Sequence, residues 1–240
     1  MTDPTMSVPQ EDTPIPETFI VAIDGPAGSG KSSVSKEVAR RRGYGYLDTG
    51  AAYRALAWHV LNHDADTSDA TAVLDAIGDF ELRLGMDPDE RRVMVADRDV
   101  TSEIREPRVS DAVSGVARVP AVRQFLNSTF HDLVSQSGRE AVIIEGRDIT
   151  TVVAPEAPVR LLLTAAPEVR AARRSAELTG HDASAVAAAM HKRDAADSQV
   201  VDFLEAAEGV TVVDSTDLDF EQTIAAVLAE IDRATGESHA

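Results

Sequence analysis

Lys31 and Ser32 sit in the most chemically informative stretch of the chain. Gly25, Pro26, Ala27, Gly28, Ser29, Gly30, Lys31, Ser32 and Ser33 fit the pattern G-x-x-x-x-G-K-S, directly after the apolar run from Phe19 to Asp24. Gly25 and Gly30 let the backbone curl with its N–H groups turned inward, where triphosphate oxygens accept them. Lys31 brings a positive charge to the β- and γ-phosphates, and the Ser32 hydroxyl is placed to ligate Mg²⁺. Val34 and Val38 lie one turn apart and Gly43 closes the segment. A helix therefore follows the loop with its positive end toward the phosphates. Strand, loop and helix in this order predict a nucleoside-triphosphate site.

Further candidates stand at the ends of apolar runs. Glu145 closes the run from Ala141 and is followed by Gly146, Arg147 and Asp148. A strand-end acid beside such a loop can orient the water shell of a magnesium ion, or it can be an ordinary strand-end acid. An arginine beside an aspartate at a strand end is a poor choice for solubility alone, so Arg147 is read as functional. Arg170, Arg173 and Arg174 share one helical face by i, i+3, i+4 spacing. That face is either solvated or a lid that closes on phosphates and neutralises charge during transfer. Arg54 and Arg123 are weak signals taken singly. His59 and His63 stand four apart on a helix, but the glutamate of H-E-x-x-H is absent, which favours packing or surface roles over a metal site.

The elements that position these residues follow from periodicity. Residues 1–17 hold four of the eleven prolines, four acids and no base, and read as a disordered tail. A second strand is expected at Gly45–Asp48, with Thr49 capping a helix through Asn62 whose buried face carries Leu56, Val60 and Leu61. Residues 67–105 break the rhythm: a short helix (Ser68–Ile77), alternating strands at Phe80–Leu84 and Arg91–Ala96, and a third near Val100 predict an inserted antiparallel subdomain. Pro107 and Pro120 each open a helix, the second running to Gly138. Strands at Ala141–Glu145, Val159–Leu163 and Val210–Asp214 alternate with helices at Pro167–Gly180, Ala183–Ala196 and Phe220–Arg233. Apolar strands separated by helices predict an α/β fold: three layers, a parallel sheet covered by helices, with ligands at the carboxyl ends of the strands. The charged residues there are Asp24, Asp48, Glu145, Arg147, Asp148 and Asp214.

Composition narrows the function class. The formal charge of −18 argues against nucleic-acid binding, which needs a basic face. No stretch approaches the roughly 20 apolar residues that span a bilayer, and no secretion signal opens the chain. A cytoplasmic location is expected. The absence of cysteine excludes disulfides, thiolate metal sites and thiol nucleophiles. No expected helix leaves an apolar outer face, so a monomer is expected.

Several blocks in order carry a family resemblance. After GPAGSGKSS come LDTGAAYR (residues 47–54), DVTSEIR (99–105), EGRDI (145–149), and Arg193-Asp194 with Asp197-Ser198. Together, from Phe19 to the last helix, they resemble the bacterial cytidylate kinase family of nucleoside monophosphate kinases. The resemblance implies a P-loop kinase domain over residues 18–236, residues 67–105 as the acceptor-binding insert, a helical lid at about 165–200, and a short tail at 237–240. It implies transfer of the γ-phosphoryl of ATP, with Mg²⁺, to CMP or dCMP. By matching motifs, Arg54 and Arg147 would hold the acceptor phosphate, and Thr49 would lie in the acceptor site. Ser114, Arg123 and Asp148 would face the cytosine; Arg193 and Asp197 would face the ribose. Lys31, Arg147, Arg170 and Arg174 would be the catalytic cations. Two anionic substrates meeting end to end require cations between them.

One position departs from the family pattern. Relatives carry an arginine three residues after the aspartate of the D-S pair, then an S-P-L stretch; here residues 200–204 read VVDFL. Either Lys192 or another arginine substitutes, or acceptor affinity is lower. The rival readings are a P-loop kinase of another small acceptor, which would need neither the insert nor Asp148, and a regulatory GTPase. The GTPase signature N-K-x-D is approached only by His191-Lys192-Arg193-Asp194, which lacks the asparagine.

Overall fold

Phe19–Asp24 is apolar because it runs through the middle of a sheet with helices on both faces. The computed structural model describes residues 18–90, 92–177, 183–198, 201 and 203–236, without the side chains of residues 177, 183, 185, 189 and 193. The expected tails at 1–17 and 237–240, the start of a strand at Arg91, the end of a helix at Gly180, Val200 and the Arg193 side chain lie outside the described residues.

The first half of the chain gives β1 (Phe19–Asp24), α1 (Lys31–Arg42), β2 (Gly45–Asp48), α2 (Thr49–Asn62) and α3 (Ala70–Ile77). The insert contributes β3 (Leu82–Leu84), β4 (Val93–Val95), β5 (Arg98–Asp99) and a 3-10 turn at Glu103–Arg105, followed by α4 (Pro107–Ala117) and α5 (Pro120–Gln136). The remainder is β6 (Ala141–Gly146), a π-type turn at Ile149–Val153, β7 (Val159–Thr164), α6 (Pro167–Glu177), α7 (Ala183–Ser198), β8 (Thr211–Asp214) and α8 (Phe220–Thr235).

Five strands pair in parallel in the order β2-β6-β1-β7-β8. The register Ile23↔Glu145, Asp24↔Gly146 and Asp48↔Glu145 brings the three strand ends level. Asp24, Asp48 and Glu145 therefore face one crevice, where the chain reverses direction across the sheet. One face of the sheet packs on α1 and α8 through Val34, Val38, Ile224 and Val227. The other packs on α2, α4 and α5 through Leu56, Val116, Leu126 and Phe130. The insert forms a separate antiparallel sheet, β3-β4-β5, joined to this second core through Val93, Val95 and Val100. The Tyr46 N–H donates to Met86 O at 2.9 Å, tying the insert to the edge of the main sheet.

The elements follow the sequence expectation, with shorter insert strands and one corrected cap. The N-cap of α2 is Asp48, whose carboxylate accepts from the Ala51 N–H at 2.9 Å; Thr49 is the first helical residue. The Thr49 hydroxyl donates instead to Glu145 O at 2.8 Å, so the neighbouring strand claims it before the helix can.

Candidate functional site

The loop after β1 is shaped by its glycines and braced from outside. Gly28 sits at φ 75°, and a Cβ there would lie 2.7 Å from Arg170 O, so the position accepts little else. Gly30 is the N-cap of α1 and offers no side chain to the first turn. The leading N–H groups of α1 thus lack a side-chain cap, the arrangement that favours an anion at a helix start.

Glu145 is the hub at the foot of this loop. Its Oε1 accepts from Ser32 Oγ at 2.5 Å and from Tyr46 Oη at 2.7 Å, and its Oε2 lies 4.0 Å from Lys31 Nζ. Burial pushes the Tyr46 phenol far up, with the Glu145 and Asp48 charges adding to the rise, so it stays a donor. Because the Ser32 hydroxyl donates its hydrogen bond to Glu145, its oxygen lone pairs remain for a cation. The residues fit a divalent cation held by Ser32, with Glu145 behind it to orient bound water.

Three arginines stand across the crevice, each on a carboxylate. Arg54 Nη2 donates to Asp48 Oδ2 at 3.0 Å, Arg123 Nη2 to Asp148 Oδ2 at 2.6 Å, and Arg147 Nε to Asp197 Oδ2 at 3.1 Å. Arg54 Nε is buried without a hydrogen-bond partner. Such a group is costly unless something else satisfies it. Burial works to raise the Asp48 carboxyl, but Arg54, the Ala51 N–H, Arg105 and Lys36 outweigh it and hold it below its ordinary value. At Asp148 burial wins over Arg123, and the carboxyl lies above its ordinary value.

Asp24 sets where Arg147 and Asp148 point. Its carboxylate accepts from the Ile149 N–H at 2.9 Å, the Thr150 N–H at 2.8 Å and the Thr150 hydroxyl at 2.7 Å. This fixes the π-type turn straight after Arg147 and Asp148. Burial pushes the Asp24 carboxyl up against these bonds. Gly146 is obligatory at the same corner, since a Cβ would lie 2.5 Å from Thr49 Oγ1 and 2.7 Å from Ile149 Cδ1. Arg147 also donates to Gly25 O at 2.7 Å and lies over the Phe203 ring, 5.0 Å from its centroid.

Arg170 and Arg173 of α6 are placed differently. Arg170 is buried and donates to Ala27 O at 2.8 Å, Asp194 Oδ2 at 2.7 Å and Ala165 O at 3.2 Å. Asp194 in turn accepts from the Ala27 N–H at 3.2 Å. Arg173 donates to Ser29 O, Ser215 Oγ, Ser215 O and Leu218 O. Both side chains grip the outside of the phosphate loop, so neither the solvated nor the lid reading fits this pair. Arg174 is exposed on the same helix.

These features have counterparts in known proteins. The family model described as cytidylate kinase matches residues 21–233. A cytidylate kinase of Cutibacterium acnes is 45% identical over 212 residues, 88% of this chain and 94% of its own. Those of Streptomyces avermitilis (43% over 214 residues, 89% and 92%) and Rhodococcus opacus (42% over 224 residues, 91% and 97%) are similar. The chain belongs to the cytidylate kinase family.

Within this cytidylate kinase family member, Lys31, Ser32 and Thr49 contact Glu145 at the end of β6, Arg54 holds Asp48 on the adjacent strand end, and Arg147 and Asp148, just after β6, pair with Asp197 and Arg123. Ser114 is half-buried on α4, and Arg193 belongs to α7. The sequence reading missed the parts played by Asp24, Tyr46, Asp194 and Phe203. Asp24 was visible as a strand-end acid. Tyr46, one of only three tyrosines, offered no signal of its partner 99 residues away. Asp194, the last residue of the nearest approach to the GTPase signature, is buried against Arg170 and the Ala27 N–H, where it cannot reach a guanine.

Proposed function

We propose that the protein transfers the γ-phosphoryl group of ATP directly to CMP and dCMP, giving CDP and dCDP, as a cytoplasmic monomer. The observation that carries this reading is the crevice pairing: a phosphate loop on one side and three carboxylate-held arginines on the other, one with a buried unpaired Nε. Family membership supports the choice of acceptor, and no observation favours another small acceptor.

The chain's own residues then divide the work. Lys31 and the leading N–H groups of α1 hold the donor phosphates and meet charge as it develops on the transferred group. Mg²⁺, when bound at Ser32, neutralises charge on the donor's β- and γ-phosphates. Arg54 and Arg147 exchange their carboxylate partners for the acceptor phosphate and align it with the γ-phosphate. Asp148, held by Arg123 on Oδ2, keeps Oδ1 for the exocyclic amine of cytosine, and Ser114 of α4 supplies a second contact to the base. Arg193 and Asp197 hold the ribose. Arg170 and Arg174 complete the cation set, Arg170 by shaping the loop and Arg174 from the lid. The acceptor is already ionised, so no protein base is needed.

Turnover measured with a panel of nucleoside monophosphates, shikimate and gluconate tests the assignment. CMP and dCMP should give the highest kcat/KM. A non-nucleotide acceptor or UMP turned over equally well would overturn it.

A further inference from the structure

We propose that His59, His63 and Asp79 form a binding site for a divalent transition-metal ion, distinct from the Mg²⁺ site at Ser32. His59 and His63 are four apart in the last turn and C-cap of α2, with ring centroids 4.4 Å apart. Asp79 follows α3 and closes over both rings. One ligand atom from each of the three residues lies within 4.8 Å of the others. His59 Nε2 is 3.0 Å from Asp79 Oδ1, and His63 Nε2 is 3.6 Å from Asp79 Oδ2. Ligands about 2.0–2.2 Å from a tetrahedral ion stand roughly 3.4 Å from one another, a spacing that small movements of the exposed Asp79 and His63 side chains would reach.

The hydrogen-bond partners show which ring nitrogens are open to an ion. His63 Nδ1 lies 2.9 Å from His59 O, which can only accept, so Nδ1 carries the ring proton. In the neutral ring, Nε2 then presents a lone pair to the Asp79 carboxylate. A bound cation, or a proton on that nitrogen, satisfies both groups. His59 Nε2 faces Asp79 and also Ala76 O at 3.1 Å, and so meets oxygen acceptors on two sides. Moving the His59 proton to Nδ1 frees its Nε2 for the ion, and Ala76 O or a water completes four ligands.

The surroundings hold the ligands in place. His59 is buried and packs on Phe80 at 5.3 Å between ring centroids, while the His63 ring is anchored by its bond to His59 O. A ligating imidazole held through its other nitrogen is a recurrent support for metal sites. Two imidazoles and one carboxylate select Zn²⁺, Co²⁺ or Ni²⁺ over Mg²⁺. The site fastens the end of α2 to the corner between α3 and β3. His63 lies nine residues beyond Arg54, about 13 Å along the helix axis, so the ion would brace the acceptor-side unit from outside the crevice.

The test uses the full chain, cleared of metal with a chelator and without nucleotide. Zn²⁺ is titrated calorimetrically and Co²⁺ by its visible absorption, in the wild type and in His63→Gln and Asp79→Asn, both at exposed positions. One Zn²⁺ per chain is expected, with a tetrahedral Co²⁺ spectrum. Each substitution should weaken Zn²⁺ binding at least tenfold and abolish the rise in melting temperature that Zn²⁺ gives the wild type. Absence of Zn²⁺ uptake by the wild type, or uptake that survives both substitutions unchanged, would overturn the proposal.

Discussion

The chain places arginines on both sides of its phosphate loop, and the two sets are held differently. Arg170 and Arg173 bond to main-chain carbonyls, Ala27 O and Ser29 O among them, with the buried Asp194 carboxylate as a further partner of Arg170. Arg54 and Arg123 are each held by one carboxylate side chain. A carbonyl of a packed loop does not leave, so an arginine bonded to it shapes the loop. A carboxylate is a placeholder for a phosphate of like charge and geometry, so an arginine bonded only to it is ready to exchange partners. Arg147 belongs to both sets, with Gly25 O on one nitrogen and Asp197 on another. It joins the loop to the acceptor side, where phosphoryl transfer would take place.

Lys31, on the loop that lies between the two sets, gives the largest expected effect. Lys31→Ala should lower kcat by several orders of magnitude while far-ultraviolet circular dichroism and melting temperature stay near wild type, since removing one pre-placed charge-stabilising donor alone costs about 10²–10³. Near-normal kcat in the folded variant would break the division.

Arg170→Met should act on stability. It leaves Asp194 buried without its partner, at a cost of about 3–5 kcal/mol, which is roughly 10 °C in melting temperature for a domain of this size. The double variant Arg170→Met/Asp194→Leu should recover part of that loss. A melting temperature unchanged in the single variant would mean that Arg170 does not brace the loop.

Arg54→Lys should do the reverse. It keeps the charge but loses the fork, so KM for CMP should rise about tenfold or more, for the 1.5–3 kcal/mol of a charged hydrogen bond, with a shift in melting temperature of only a few degrees. A rise in KM for ATP in place of CMP would put Arg54 on the donor side.

The donor half of this picture was legible because its information is local. Glycines, Lys31 and Ser32 lie within nine residues, and their spacing alone dictates strand, loop and helix. Helical spacing likewise put Arg170 and Arg173 on one face. It could not say what that face meets, because Ala27 and Ser29 lie more than 140 residues away along the chain. Asp48 and Thr49 are both good N-caps, and only the approach of Glu145 O decides between them. The π-type turn after Asp148 was invisible for the same reason: it exists because Asp24, on the adjacent strand, gathers three donors. Spacing paired His59 and His63 but favoured packing or surface roles, because Asp79, the residue that makes them a cluster, follows a separate helix.

Asp148 offers the most direct test that cytosine is read at this crevice. Specificity constants for CMP and UMP are to be measured in the wild type, Asp148→Asn and Arg147→Ala. The carboxylate accepts from the cytosine amine and repels the carbonyl oxygen of uracil, a discrimination worth about 1–3 kcal/mol. Asp148→Asn should therefore lower the CMP-to-UMP ratio by roughly tenfold to a hundredfold, mainly through loss on CMP. Arg147→Ala should lower both constants together. In the wild type the ratio should also fall with acid, as the carboxylate takes up its proton. Because burial holds the Asp148 carboxyl above its ordinary value, that fall should begin at a higher pH than for an exposed aspartate. Loss of activity on CMP and UMP by the same factor in Asp148→Asn, at every pH, would contradict the account.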